Sequence, residues 1–119
     1  GLLRVPSLMT FLRSPLAGRM AAAEDRGDLF REKPFVMDYE GSLMQGIIDV
    51  FWMEGDKIVL LDYKTDKVDS GEELILRYKT QLDLYADALR RIFSTPQQPI
   101  TASEKLIYSF RLKEVIVLP

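Results

Sequence analysis

Apolar and polar positions change rhythm several times along this chain. Leu8, Phe11, Leu12, Leu16, Met20 and Ala23 recur at helical spacing, with Ser7 as a candidate N-cap and with Pro15 and Gly18 expected to split or kink the helix. After a polar turn over 25–28, two β-rich stretches, Phe30 to Tyr39 and Leu43 to Met53, are separated by Glu40 and Gly41, as the strands of a hairpin are. A second turn at Glu54, Gly55 and Asp56 leads into Ile58 to Thr65. That segment begins apolar at every position, the pattern of a central strand covered on both faces, and turns polar only at its far end. Leu74, Ile75, Tyr78, Leu82, Tyr85, Leu89 and Ile92 then mark one stripe of a long amphipathic helix that stops near Pro96. Lys105 to Leu112 and Glu114 to Leu118 read as two last strands. The order helix, three strands, helix, two strands predicts an α/β fold with a mixed central sheet flanked by helices.

At 119 residues and 47% apolar content the chain has the size and the core of one domain, with no internal repeat or low-complexity stretch. It opens on Gly1 rather than Met and closes on a strand, so a piece of a longer protein is expected. No apolar run approaches the ~18 residues that span a bilayer, and Arg4 and Arg13 interrupt the start before a signal-peptide core forms. The expectation is a soluble, cytoplasmic protein with no membrane contact. Sixteen Lys and Arg against 18 Asp and Glu give a net charge of −2, so any contact with nucleic acid has to be local.

The absence of two residue types narrows the chemistry. Without Cys there are no disulfides, thiolate zinc sites or iron–sulfur clusters within the chain, and without His there is no Ser-His-Asp triad and no His general base. Carboxylates are left as metal ligands, and they favour hard, oxygen-ligated cations such as Mg2+ or Mn2+.

Asp62 and Lys64 stand two apart on one strand, so their side chains leave the same face. Burying either charge beside Leu60, Leu61 and Tyr63 is costly unless it is paired or metal-bound, which makes them an ion pair or an active centre. Asp49 ends the Gly46-Ile47-Ile48 run on the preceding strand, and a hairpin between the strands brings it beside Asp62. Two converging carboxylates repel, and a divalent cation between them resolves the repulsion while activating a water against a phosphodiester. Lys64 is then the base for that water or a stabiliser of charge developing on the phosphate.

These residues lie in a recurring order: Gly46-Ile47-Ile48-Asp49, then Leu61-Asp62-Tyr63-Lys64-Thr65-Asp66, then Gln81 with Tyr85. The string resembles RecB-like nucleases of the PD-(D/E)XK superfamily, in which Asp ends one strand, Asp-x-Lys ends the next, and Gln-x-x-x-Tyr lies on the following helix. Arg31-Glu32-Lys33-Pro34-Phe35 and Tyr108-Ser109-Phe110 extend the likeness over about residues 29–118, toward the C-terminal nuclease domains of the AddA group of helicase-nucleases.

The resemblance implies a restriction-endonuclease-like core and Mg2+-dependent cutting of DNA strands unwound from broken ends, in recombinational repair in bacteria. It implies Asp49, Asp62 and Lys64 as catalytic residues, Asp49, Asp62 and Tyr63 as the metal set, and Gln81 and Tyr85 as DNA-positioning residues. Glu32 is a further acidic candidate, although a lone Glu between Arg31 and Lys33 is more often a solvated charge. An AddB-type partner with its own nuclease domain and iron–sulfur cluster is implied, and the lack of Cys argues that this chain is not that partner. No G-x-x-x-x-G-K-[ST] string occurs, so ATP is expected to act only through a helicase part outside this sequence.

The likeness departs at one point. RecB-like nucleases usually carry a further metal ligand, often His, on a helix upstream of the first strand, and none of Glu24, Asp25 and Asp28 matches that motif. The expectation is that the sequence begins after that helix or omits it, leaving an incomplete metal site; the alternative reading of the whole is a nuclease-fold module that has lost cutting and grips single-stranded DNA or a partner subunit. Tyr78 reads as a core aromatic with a wet hydroxyl, Phe51 and Trp52 as packing, and Lys67, Arg77, Lys79, Arg90 and Arg91 as the solvated charges of a helix face that could also line a phosphate track.

Overall fold

Ser14 starts the first described helix, its hydroxyl accepting a hydrogen bond from the Ala17 amide at 3.3 Å. Pro15 follows at the first helical position, where its missing N–H costs nothing, so it opens helix α1 (Pro15–Asp25) instead of kinking it. Gly18 sits within α1 without breaking it. The computed structural model describes residues 14–119, and the expected helical positions from Ser7 to Leu12 lie outside them.

Strands β1 (Leu29–Tyr39), β2 (Ser42–Glu54) and β3 (Lys57–Lys64), helix α2 (Gly71–Phe93), and strands β4 (Ala102–Ser109) and β5 (Glu114–Leu118) complete the predicted order. The first hairpin turns on Glu40 and Gly41, at φ +52° and +81°. That pair of left-handed residues is what a two-residue hairpin loop requires. The sheet runs β1-β2-β3-β4-β5; β3 and β4 are parallel and the other pairs antiparallel. A parallel pair cannot be joined by a tight turn, and α2 supplies the crossover. Pro34 is accommodated because β1 is an edge strand.

Both faces of β3 are buried, as its apolar run predicts. Ile58 and Leu60 point into the layer beneath α2 with Leu74, Leu82, Ala86 and Leu89. Val59 and Leu61 point into the opposite layer with Leu16, Met20 and Ala23 of α1. Phe51 and Trp52 are fully buried on opposite faces, which bears out packing for both. Two expectations shift. Ile92 is exposed and Phe93 takes its place against Phe30 and Phe51, because the stripe drifts around the helix by its last turn. The fourth strand begins at Ala102 and ends at Ser109, because the Lys64 carbonyl takes the Phe110 amide and the chain then turns through Leu112.

At the end of the sheet where β3 begins, Arg19 fastens α1 down. Its guanidinium reaches Glu54 at 2.8 and 3.0 Å and Glu104 at 3.0 and 3.1 Å, while Lys57 adds a 2.9 Å bond to Glu104 and the Trp52 indole donates to Glu54 at 2.9 Å. Hydrogen bonding from Arg19 is the main reason that the Glu54 carboxyl is held down at about 2. The C-terminal ends of the parallel strands are left to carry Asp62, Lys64 and Ser109.

Candidate metal centre and active site

The β1–β2 hairpin reaches beyond β3, which pairs with β2 only from Val50 to Glu54. At the point of divergence both hairpin strands lose their regular alternation. Ile48 and Val50, two apart, lie in opposite core layers, and Phe30 and Phe35, five apart, lie in the same one. The residues at the break are Glu32 and Asp49, which drop out of an otherwise constant register. Glu32 has φ +47°, a left-handed conformation that a non-glycine residue adopts at a cost of ~1–3 kcal/mol.

The kink decides where Asp49 goes. Freed from the ladder, its carboxylate takes the Tyr63 amide on the neighbouring strand at 2.8 Å, in the position of the next ladder partner. There it meets Asp62, which is 8% exposed. Burial, and then hydrogen bonding with Asp49, push the Asp62 carboxyl up to about 6; the Lys64 hydrogen bond acts in the opposite direction without prevailing. The Lys64 ammonium lies 2.9 Å from Asp62. Burial opposes its charge, but Asp62, aided by Tyr78 and Asp49, outweighs burial and raises the Lys64 pKa. The structure thus brings Asp49, Asp62 and Lys64 together.

The other candidates fall around this centre. The Tyr63 ring packs against the α1 layer, 5.9 Å from Phe110, while its main-chain N–H donates to Asp49. Gln81 donates to the Tyr85 hydroxyl at 3.1 Å, and Tyr85 meets Phe35 edge-on at 5.2 Å. Tyr85 also lies directly over Gly46, where a Cβ would come within 2.7 Å of its hydroxyl oxygen. A side chain at Gly46 would therefore displace the Tyr85 ring, and Gln81 and Tyr85 brace the contact of α2 with the hairpin.

Glu32 is exposed, and with Arg31, Asp49, Val50 and Tyr63 it lines an open cleft of about 490 Å³. Glu24 is paired with Arg31 and Asp28 with Arg26. Among the described residues no group of three or more His, Cys, Asp or Glu side chains is placed to hold a metal. Of the basic helix residues, Arg77, Lys79 and Arg91 are paired with Asp66, Asp83 and Asp87, as a solvated face would be.

Tyr78 packs against the core layer beneath α2, as its helical spacing predicts, and is also a neighbour of Lys64. It donates its hydroxyl to Asp66 at 2.7 Å, and its ring face lies 4.1 Å from the Lys64 ammonium. Its position one helical turn before Gln81, on the same face, is the only local signal of this role.

Asp49 and Asp62 offer carboxylate oxygens, the ligand type of hard cations such as Mg2+ or Mn2+, which bind through one or two carboxylates and keep several waters. Residues 8–115 match the PD-(D/E)XK nuclease superfamily, and the chain belongs to that family. It is 38% identical to an AddA-type ATP-dependent helicase/nuclease of Exiguobacterium sibiricum, over 94% of this chain and 11% of that protein. The corresponding ATP-dependent helicase/nucleases of Clostridium perfringens (36%, covering 90% of this chain) and Lachnoclostridium phytofermentans (34%, covering 92%) are similar as well. The chain spans about a tenth of the length of these curated relatives.

Proposed function

We propose that this domain is a metal-dependent deoxyribonuclease that hydrolyses DNA phosphodiesters, acting on single strands within an AddA-type helicase-nuclease. The observation that carries this reading is the convergence of Asp49 and Asp62 on one point, with Lys64 bonded to the deeper carboxylate. Asp49 and Asp62 would hold Mg2+ or Mn2+, with the main chain at Tyr63 as a further candidate group. When bound, the cation supplies charge for the phosphate and lowers the pKa of water.

The residues of the chain do the rest. Asp62, buried beside Asp49 with its carboxyl pushed up to about 6, carries a charge that a cation there would offset. Lys64 stays protonated beside it and offers its ammonium to negative charge developing on the phosphate. A raised pKa favours this stabilising role over the alternative of general base. Gln81 and Tyr85 hold the hairpin arm against α2 and so keep the kink at Asp49 in place.

Within a longer parent, ATP-driven unwinding by the helicase part would deliver strands to this site in double-strand break repair and homologous recombination. An AddB-type partner would complete the complex, in the bacterial cytoplasm. The relatives' shared name, ATP-dependent helicase/nuclease, supports that setting. The lack of a third carboxylate among the described residues favours a second reading, a DNA- or partner-gripping module without cutting.

One experiment separates the two. Calorimetric titration with Mg2+ and Mn2+, and cleavage of end-labelled single-stranded DNA, are measured for the chain, Asp62→Asn and Lys64→Met. The nuclease reading expects metal binding lost in Asp62→Asn, and binding kept but cutting slowed about 100-fold or more in Lys64→Met, the scale of a preorganised charge contact. DNA binding with no metal binding and no cutting by the unsubstituted chain would make it the gripping module.

A further inference from the structure

We propose that Tyr78 is a positioning residue for Lys64: its ring face holds the ammonium in place, and Asp66 fixes the ring. The proposal rests on the nuclease reading above.

A lysine is a point charge on a flexible four-carbon stem, and it stabilises a reacting phosphate only if something holds it still. Two contacts hold Lys64. One is Asp62, at 2.9 Å. That contact would weaken in the loaded site, since a divalent cation held by Asp62 would compete for its carboxylate and repel the ammonium. The other is the Tyr78 ring, 4.1 Å from Nζ and within the reach of a cation–π attraction. The ring presents no carboxylate to the metal, so this contact survives when Asp62 is engaged.

The ring is itself anchored. Its hydroxyl donates to Asp66 at 2.7 Å, and Arg77 reaches the same carboxylate oxygen at 3.0 Å. Asp66 lies two residues beyond Lys64 on the chain leaving β3, while Tyr78 and Arg77 belong to α2. The tether therefore ties the strand end that carries Lys64 to the helix that carries the ring. Tyr78 is only partly buried, and its polar end goes to the one acidic residue that shares the Asp-x-Lys-x-Asp run with the centre.

The test uses Tyr78→Phe, which keeps the ring and loses the tether, and Tyr78→Leu, which loses both. The first readout needs neither metal nor DNA. Protons on the Lys64 Cε over a ring face shift upfield, so in 13C-lysine-labelled chain this signal should stand upfield in the unsubstituted protein, mostly so in Tyr78→Phe, and at the ordinary lysine position in Tyr78→Leu. The second readout is steady-state cutting of single-stranded DNA with Mg2+. In Tyr78→Leu kcat should fall roughly tenfold, the equivalent of ~1.4 kcal/mol, while KM and Mg2+ affinity hold; in Tyr78→Phe it should fall about threefold or less.

Unchanged kcat in Tyr78→Leu would overturn the proposal, as would equal losses in Leu and Phe or an unshifted Lys64 signal in the unsubstituted chain. Should Tyr78→Leu fail to fold, Asp66→Ala serves instead: removing the acceptor of the Tyr78 hydroxyl should lessen the upfield shift and lower kcat together, and no change in either would overturn the proposal. Absence of cutting by the unsubstituted chain would remove the nuclease reading and this proposal with it, whereas an unshifted Lys64 in an active chain would remove this proposal alone.

Discussion

Replacing Asp49 by Asn tests the carboxylate pair most directly, because the amide oxygen can still accept the Tyr63 N–H while the charge is lost. Carrying the Asp62 carboxyl from 3.8 to about 6 costs the folded protein ~3 kcal/mol at neutral pH. Burial is the first cause and Asp49 the second, so Asp49→Asn should recover ~1 kcal/mol, or about 4 °C in Tm for a domain of this size. The sign in pH follows from the direction of the shift. The folded-state pKa lies above the unfolded one, so Asp62 contributes its stability in full below 3.8 and loses it as pH climbs through about 6.

Glu54, Asp66, Asp83 and Glu104 are shifted the other way and lose their contribution only as pH falls below the ordinary carboxylate range. Unfolding measured in EDTA between pH 5 and pH 7.5 therefore isolates Asp62. The unsubstituted chain should lose stability over that window, and Asp49→Asn should lose less. Adding Mg2+ should reverse the ranking, since ligand binding stabilises only the protein that binds it. If Asp49→Asn is no more stable than the unsubstituted chain at pH 7 in EDTA, or keeps the same pH slope, the two carboxylates do not repel one another and the argument for a cation between them fails.

Gly46→Ala should push a methyl group into Tyr85, break the Gln81 bond and cost ~1–3 kcal/mol, read as a fall in Tm with loss of the ordered Tyr85 hydroxyl signal. Arg19→Ala should cost ~1–2 kcal/mol at pH 7, after allowance for its partial exposure, by releasing α1 from Glu54 and Glu104. Because Glu54 is held down at about 2, that cost should shrink as pH falls from about 4.5 toward 2, which urea unfolding along a pH series would check.

Much of this was legible in the sequence for a physical reason. Alternation at period two and the 3.6-residue stripe are local consequences of burial, so the elements, their order and the doubly covered β3 could be read directly from Ile58 to Leu61 and from Leu74 to Leu89. Spacing on one strand likewise put Asp62 and Lys64 on one face. What the sequence could not express is the shared break in alternation at Glu32 and Asp49, which depends on two strands kinking together and turns the Asp49 carboxylate into the gap beside β3.

Tyr78 shows the same limit. Its core-facing position was plain, but that its ring would also meet the ammonium of Lys64 depended on where α2 crosses the end of β3. Patterns within an element follow from neighbours along the chain. The convergence of charges from different elements follows from register, strand divergence and helix placement, and those are decided only when the tertiary contacts form together.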